Sequence, residues 1–190
     1  YSRKIRCLEN ENTSKAFRMR KIRIGFSKPK DNLFPVFSWA IRLYEGTPYS
    51  HVYIRWQTKW STWLCYHAAS VMIHFLGEAS FAKHLAVVEE FEFEVTEDQF
   101  DRLMQFCTKY VGEDYALMDV LMIPFWDRLS KSGKVVPSLA NGASKQYCAE
   151  LVMRALGEMG VDILTQNVDR VKLRQVYNFV KEKHKNGAKV

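Results

Sequence analysis

Two strand-like segments, separated by a short polar stretch, constrain the fold of this chain most. Residues 51–56 largely alternate polar and apolar side chains, residues 62–68 are mostly apolar and aromatic, and residues 57–61 between them are mostly polar. This pattern is typical of two antiparallel strands that form a β-hairpin. The hairpin predicts an antiparallel sheet around which the other segments must pack.

The hairpin also predicts which side chains meet. If its turn is odd in length and centred on Lys59, facing residue numbers sum to 118, so that His51 faces His67 and Ile54 faces Leu64. Opposed residues lie on the same face of the sheet, with Cβ atoms about 5 Å apart. Both imidazoles then project together, whereas a shift of one residue would put His67 on the far face.

The remaining segments carry further strand and helix patterns. Strands are predicted at residues 21–26, 71–76 and 87–95, and helices at residues 33–44, 96–111, 114–126, 148–159 and 168–183. Thr96 and Gln99 fit a capping box at the start of the second helix. We expect a basic N-terminal arm at residues 1–20, one domain at residues 21–183 and a basic C-terminal tail at residues 184–190.

Cys148 lies where a polar segment turns into a strong helix pattern, and Ser144 can cap that helix. First-turn amides and the helix dipole stabilise negative charge, so a thiol at this position loses its proton more easily. A thiolate next to a histidine is a nucleophile. We therefore expect Cys148 to be the nucleophile, His51 its base and His67 the group that orients His51.

These residues also have simpler interpretations. A histidine at a strand end is most often a satisfied polar residue, and a lone cysteine in a helix is usually a core residue, as we expect for Cys107. Cys65, His67 and His51 are ligand types that zinc prefers, but their spacing matches no common zinc pattern and no fourth ligand is evident. The other histidines are interpreted as structural or surface residues: His74, His84 and His184.

The positive charge of the chain is concentrated at its two ends. Residues 1–23 carry eight Lys or Arg against two Glu, and residues 169–190 carry seven against two acidic residues, while the whole chain carries +7. Basic ends favour an anionic partner such as a nucleic acid, a phospholipid surface or an acidic protein, and a solvated tail is the simpler alternative. No nucleic-acid-binding motif is present.

Two further features concern the cellular environment. No apolar run approaches the ~18 residues that a transmembrane helix needs. The four cysteines show no close pairing, which favours a reducing, cytoplasmic or intracellular environment. The chain begins with Tyr1 rather than Met, which is compatible with removal of a leader peptide.

Four short motifs resemble those of the NlpC-type papain-like superfamily. Residues 48–54 (Pro-Tyr-Ser-His-Val-Tyr-Ile) resemble its "sHvgi" strand, and residues 66–71 (Tyr-His-Ala-Ala-Ser-Val) resemble the following "hA…gv" strand. Residues 110–115 are similar to its "lGkpYd" segment, and residues 147–152 (Tyr-Cys-Ala-Glu-Leu-Val) to its "yCsELv" helix start. The histidines precede the cysteine, as in the circularly permuted branch that includes the YiiX-like amidases and the lecithin retinol acyltransferase relatives.

This resemblance implies an α+β, permuted papain-like fold in which a small antiparallel sheet packs against helices. It implies a thiol hydrolase that cleaves amide, peptide or ester bonds through an acyl-enzyme. In that enzyme Cys148 is the nucleophile, His51 the base and His67 the third catalytic residue, and no metal or organic cofactor is needed. The alternatives are a lipid acyltransferase or lipase, a non-catalytic structural or particle-associated protein, and a binder of anionic polymers through the basic ends.

Overall fold

The computed structural model describes residues 19–30, 35–69, 72–115, 128, 145–163 and 171–187 of the 190-residue chain. Several sequence predictions fall outside these ranges. They concern most of the basic arm, residues 116–126 of the apolar helix expected at 114–126, the cap at Ser144 and the end of the basic tail.

A mostly antiparallel sheet forms the centre of the fold. Its five main strands are β1 (Met19–Pro29), β2 (His51–Gln57), β3 (Trp63–Ala69), β4 (Met72–Gly77) and β5 (Leu85–Thr96). Two short strands, β6 (Asp114–Tyr115) and β7 (Lys145–Gln146), extend the sheet beside β4. The order is β5-β1-β2-β3-β4-β6-β7, and among the strands of the described residues only the β6–β7 pair is parallel.

The described residues form five longer helices. They are α1 (Pro35–Glu45), α2 (Glu78–His84), α3 (Glu97–Tyr110), α4 (Cys148–Glu158) and α5 (Leu173–Lys185). The predicted capping box at the start of α3 is confirmed, because Thr96 and Gln99 each bind the other's backbone amide. The chain is therefore of the α+β class, as the sequence predicts.

Three sequence predictions were wrong in detail. Residues 78–84 form a helix that was not predicted, and Asp114 and Tyr115 form a strand rather than the start of a helix. Their strand conformation depends on pairing with Met72 and with β7, which are distant in sequence. The last helix spans Leu173–Lys185, whereas the sequence predicted a helix at residues 168–183.

The predicted register of the β2–β3 hairpin was also wrong, by two residues. Ile54 pairs with Tyr66 rather than with Leu64, so facing residue numbers sum to 120. The cause is a three-residue loop: the amide of Ser61 donates to the carbonyl of Thr58 at 3.0 Å, and Ser61 has a φ of 63°. A turn followed by a left-handed residue is a common hairpin connection. Because the shift is even, every side chain keeps its predicted face.

The two faces of the sheet have different neighbours. One face packs against α3, α4 and α5 in the main core, which includes Val52 and Ile54 of β2. The other face carries a smaller cluster of Tyr53, Cys65, Phe81 and Leu85, with Phe81 supplied by α2. Alternation along β2 and β3 places His51 and His67 on the face of this smaller cluster.

Candidate active site

His51 and His67 meet in the interior of the protein. Nε2 of His51 lies 3.0 Å from Nδ1 of His67, and the two ring centroids are 5.1 Å apart. Both side chains are buried. The observed register makes them diagonal rather than directly opposed neighbours, which is still within reach of ring side chains.

His74 extends this pair to three imidazoles, which sequence reasoning missed. His74 faces His67 across β3 and β4, and their Nε2 atoms are 3.1 Å apart. Nδ1 of His74 lies 3.2 Å from the carbonyl oxygen of Met72. The sequence analysis, which interpreted His74 as a structural or surface residue, did not predict this contact with His67. A two-residue connection between β3 and β4 would have indicated the contact, since pairing residue 69 with residue 72 pairs residue 67 with residue 74.

The environment keeps the two inner rings neutral. Burial, and to a smaller extent the nearby His74, lowers the pKa of His51 to about 4. Burial is also the main cause that lowers the pKa of His67, with His51 and His74 contributing. A desolvated imidazole resists protonation, so both rings are uncharged near neutral pH. Each then has one N–H donor and one acceptor nitrogen.

Cys148 is the first residue of α4, as the helix pattern predicts. Tyr147 occupies the N-cap position in an extended conformation, and its side chain does not cap the helix. Its hydroxyl instead donates to the carbonyl of Val171 at 2.8 Å, which attaches the start of α4 to the segment before α5. Cys148 is 6% exposed.

The sheet topology places Cys148 beyond the same end of the sheet as His51. His51 and Met72 are the first residues of β2 and β4, and Met72 pairs with Asp114 of β6. β7 runs parallel to β6, and Cys148 follows β7 after a single intervening residue. Helix α4 then packs against β2 and β3 through the main core, on the face opposite to that of His51 and His67, so the two histidines and Cys148 share an end of the sheet rather than a face. The transfer of a proton between the thiol and His51 stays a prediction.

A polar network supports the histidine face. The hydroxyl of Tyr53 donates to Glu90 at 2.5 Å, and Arg55 binds the second oxygen of the same carboxylate. The guanidinium groups of Arg23 and Arg55 lie 4.1 and 4.8 Å from the ring centroid of Trp63. The Tyr53 ring packs beside His51, with centroids 6.3 Å apart. By fixing Tyr53, this network fixes one side of the space around the His51 imidazole.

The structure also bears on the zinc alternative. Cys65 lies in the smaller cluster, and burial raises the pKa of its thiol, which disfavours the thiolate that binds metals. The nitrogens of His51 and His67 face each other instead of converging on a common point. Within the described ranges, no group of three His, Cys, Asp or Glu side chains is placed to hold a metal ion.

Two observations concern the ends of the chain and membranes. His184, predicted to begin a tail, lies in α5 and packs edge-on against Phe91 and Phe93, with centroids 5.4 and 5.7 Å away. None of the helices in the described part of the chain combines the length and apolar character that crossing a bilayer requires.

Comparison with known proteins gives no family for this chain. No protein-family model matches it, and no curated protein matches it significantly.

Proposed function

We propose that this protein is a cysteine hydrolase that cleaves amide, peptide or ester bonds through a thioester acyl-enzyme, within a permuted papain-like fold. Cys148 is the nucleophile, His51 the base and His67 the residue that orients His51. The observation that carries the proposal is the buried contact of 3.0 Å between His51 and His67, close to the end of the sheet beyond which Cys148 begins its helix.

The chemistry follows from the available groups. Nδ1 of His51 takes the thiol proton, and the thiolate attacks the carbonyl carbon of the substrate. The backbone amide of Cys148, at the start of α4, stabilises the oxyanion. His51 returns the proton to the leaving amine or alcohol, and the thioester remains on Cys148. His51 then takes a proton from water, whose oxygen attacks the thioester. The carbon–sulfur bond breaks, the acid is released, and the Cys148 thiolate takes the proton back from His51.

The test is labelling by a thiol-directed acylating probe followed by site-specific mass spectrometry. We expect acylation at Cys148 and none at the same site in Cys148→Ala. Cys107→Ala is a matched control, because Cys107 is fully buried and burial raises the pKa of its thiol. Equal labelling of the wild type and Cys148→Ala would contradict the proposal. That result would favour a non-catalytic protein, an interpretation with which the low accessibility of Cys148, 6%, also agrees.

A second candidate is a lipid acyltransferase or lipase that uses the same residues. Helix α1 exposes Val36, Trp39 and Leu43, which are 73%, 57% and 67% accessible and follow helical spacing along one side. An amphipathic helix with an exposed Trp suits the interface of a bilayer, and the basic ends of the chain would add attraction to anionic lipid.

Vesicle sedimentation with phosphatidylserine and phosphatidylcholine, combined with an assay of acyl exchange between lipids, separates the two candidates. For the lipid enzyme we expect binding that weakens at high salt and is lost in Trp39→Glu. Trp60→Glu is the control, because Trp60 is also exposed, at 74%, but lies in the β2–β3 loop. Equal binding by both variants, or no acyl exchange, would contradict the lipid candidate.

A further inference from the structure

Three imidazoles form a row that ends on a backbone carbonyl. Nε2 of His51 faces Nδ1 of His67 at 3.0 Å, and Nε2 of His67 faces Nε2 of His74 at 3.1 Å. Nδ1 of His74 faces the carbonyl oxygen of Met72 at 3.2 Å. His51 and His67 are buried, whereas His74 is half-exposed.

The carbonyl at the end of this row determines the direction of every hydrogen bond in it. A carbonyl oxygen only accepts, so Nδ1 of His74 carries the proton and its Nε2 is an acceptor. Nε2 of His67 must then donate to His74, and its Nδ1 accepts from Nε2–H of His51. The nitrogen of His51 that is left without a proton is Nδ1, which is the atom that a base needs.

We propose that His74 is a positioning residue: its bond to the Met72 carbonyl fixes the tautomers of all three rings, and it receives the positive charge when His51 takes a proton. This inference rests on the proposed function for the identity of the proton donor, Cys148. The arrangement of the tautomers does not depend on it.

The transfer of charge to His74 avoids a positive charge on the two buried rings. Burial disfavours a cation at His51 or His67, so an imidazolium held there would be a high-energy partner for the thiolate. In the row, the S–H bond of Cys148 breaks and an N–H bond forms at Nδ1 of His51. His51 passes its Nε2 proton to His67, and His67 passes its Nε2 proton to His74. Each inner ring gains one proton and loses one, so the charge ends on the ring nearest to water.

The other ionisable groups around His74 come from the neighbouring elements. β3 contributes His67, and through it His51. β6 contributes Asp114, opposite Met72, and Glu113 precedes it. α2, at the far end of β4, carries Glu78, Lys83 and His84. β3 also carries Cys65 and Tyr66, which pair with Leu76 and Phe75. The acidic pair at β6 lies at the end of β4 nearest to Met72.

A two-bond ¹⁵N–¹H spectrum of the ¹⁵N-labelled full chain tests the tautomers without any assay of activity. The chain has five histidines, which single His→Gln variants assign. Near pH 7.5 we expect the Nε2–H form for His51 and His67 and the Nδ1–H form for His74. An Nε2–H form of His74, or an Nδ1–H form of His51, would overturn the proposal. In His74→Phe, which removes the acceptor, we expect the pattern of His67 to change.

The pH profile of Cys148 alkylation by iodoacetamide tests the transfer of charge. In His74→Gln, the side-chain amide can accept from His67 and donate to the Met72 carbonyl, but it cannot take up a proton. We therefore expect unchanged tautomers of His51 and His67, and a reactive limb of Cys148 that is displaced to higher pH. At pH 6.5 the rate should fall about tenfold or more, toward the range for loss of a positioned acid–base group. His84→Gln is the matched control and should keep the wild-type profile.

The outcomes separate failure of this inference from failure of the proposed function. The first outcome is a wild-type reactive limb well below pH 8.5, about the pKa of a free thiol, that is lost in His51→Ala. If His74→Gln leaves that limb unchanged, the transfer of charge to His74 is refuted. If the wild type already titrates as a free thiol, the proposed function fails, and with it the transfer of charge. In either case, the ¹⁵N–¹H spectrum independently tests whether the bond to the Met72 carbonyl fixes the tautomers of the three histidines.

Discussion

The aromatic ring of Tyr53 lies directly over Gly25 on the neighbouring strand. A Cβ atom built on Gly25 would lie 2.2 Å from both Cζ and the hydroxyl oxygen of Tyr53. With no side chain in the way, the Tyr53 hydroxyl reaches across β1 to Glu90 on β5. The same ring packs beside His51, so the absence of a side chain at Gly25 makes room for a residue that contacts the predicted base.

Gly25→Ala is therefore expected to destabilise the protein. The new methyl group has to displace a buried ring, and such overpacking costs about 1–3 kcal/mol. Urea denaturation measures the loss. Gly77→Ala is the control, because nothing lies within 4 Å of its Cβ position and its φ is −70°. Equal stabilities of the two variants would contradict the close contact.

The protein should lose stability as the pH falls from 7.5 to 5. The pKa values of His51 and His67 lie below the value of about 6.5 in an unfolded chain, so the unfolded state takes up protons first. Stability from these groups is complete above pH 6.5 and declines as the pH falls toward the folded pKa, which is about 4 for His51. Over this interval the loss is on the order of 2 kcal/mol for each histidine.

His67→Asn tests the source of this loss, because asparagine keeps a polar side chain and does not titrate. We expect the free energy of unfolding of His67→Asn to depend less steeply on pH than that of the wild type, by urea denaturation at pH 7.5, 6 and 5. His84→Gln should retain the wild-type slope. A slope that His67→Asn leaves unchanged would show that the buried rings do not cause the acid sensitivity.

Tyr147→Phe should loosen the start of α4. The variant loses the bond to the carbonyl of Val171, a buried group, and such a loss costs about 1–3 kcal/mol. We also expect slower alkylation of Cys148, since its backbone is less firmly held. Tyr177→Phe is the comparison, because that hydroxyl lies on α5, where it donates to Glu89 and accepts from Lys181 in a partly buried setting. A Tyr147→Phe protein with the stability and alkylation rate of the wild type would contradict this role.

Ser61→Gly should stabilise the β2–β3 hairpin. Ser61 has a φ of 63°, which glycine adopts without the steric cost that other residues carry. The expected gain is below about 1 kcal/mol, and Ser61→Val should show the opposite sign because β-branched residues avoid this conformation. Thermal unfolding of the two variants beside the wild type distinguishes these signs. A gain of stability in Ser61→Val would mean that the loop is not held in this conformation.

The parts of the fold that local chemistry determines could be predicted from the sequence. The alternation of residues 51–56 predicts β2, and the change from polar to apolar residues before Cys148 predicts the start of α4. Thr96 and Gln99 predict a cap because both of its bonds lie within four residues.

The parts that depend on distant contacts or unusual backbone could not be predicted. The register of β2 and β3 follows from a left-handed serine, a conformation that the sequence does not signal. The strand at Asp114 forms only through its pairing with Met72 and β7. The contact between His67 and His74 depends on the register in which β3 pairs with β4, so the third imidazole was missed.

The three-residue loop at Lys59, Trp60 and Ser61 limits how this chain can vary in length. Inserting or deleting one residue there would turn His67 away from His51, whereas a change of two residues would preserve their common face. Heritable insertions and deletions at the tip of this hairpin are therefore expected in even steps wherever the paired imidazoles are retained.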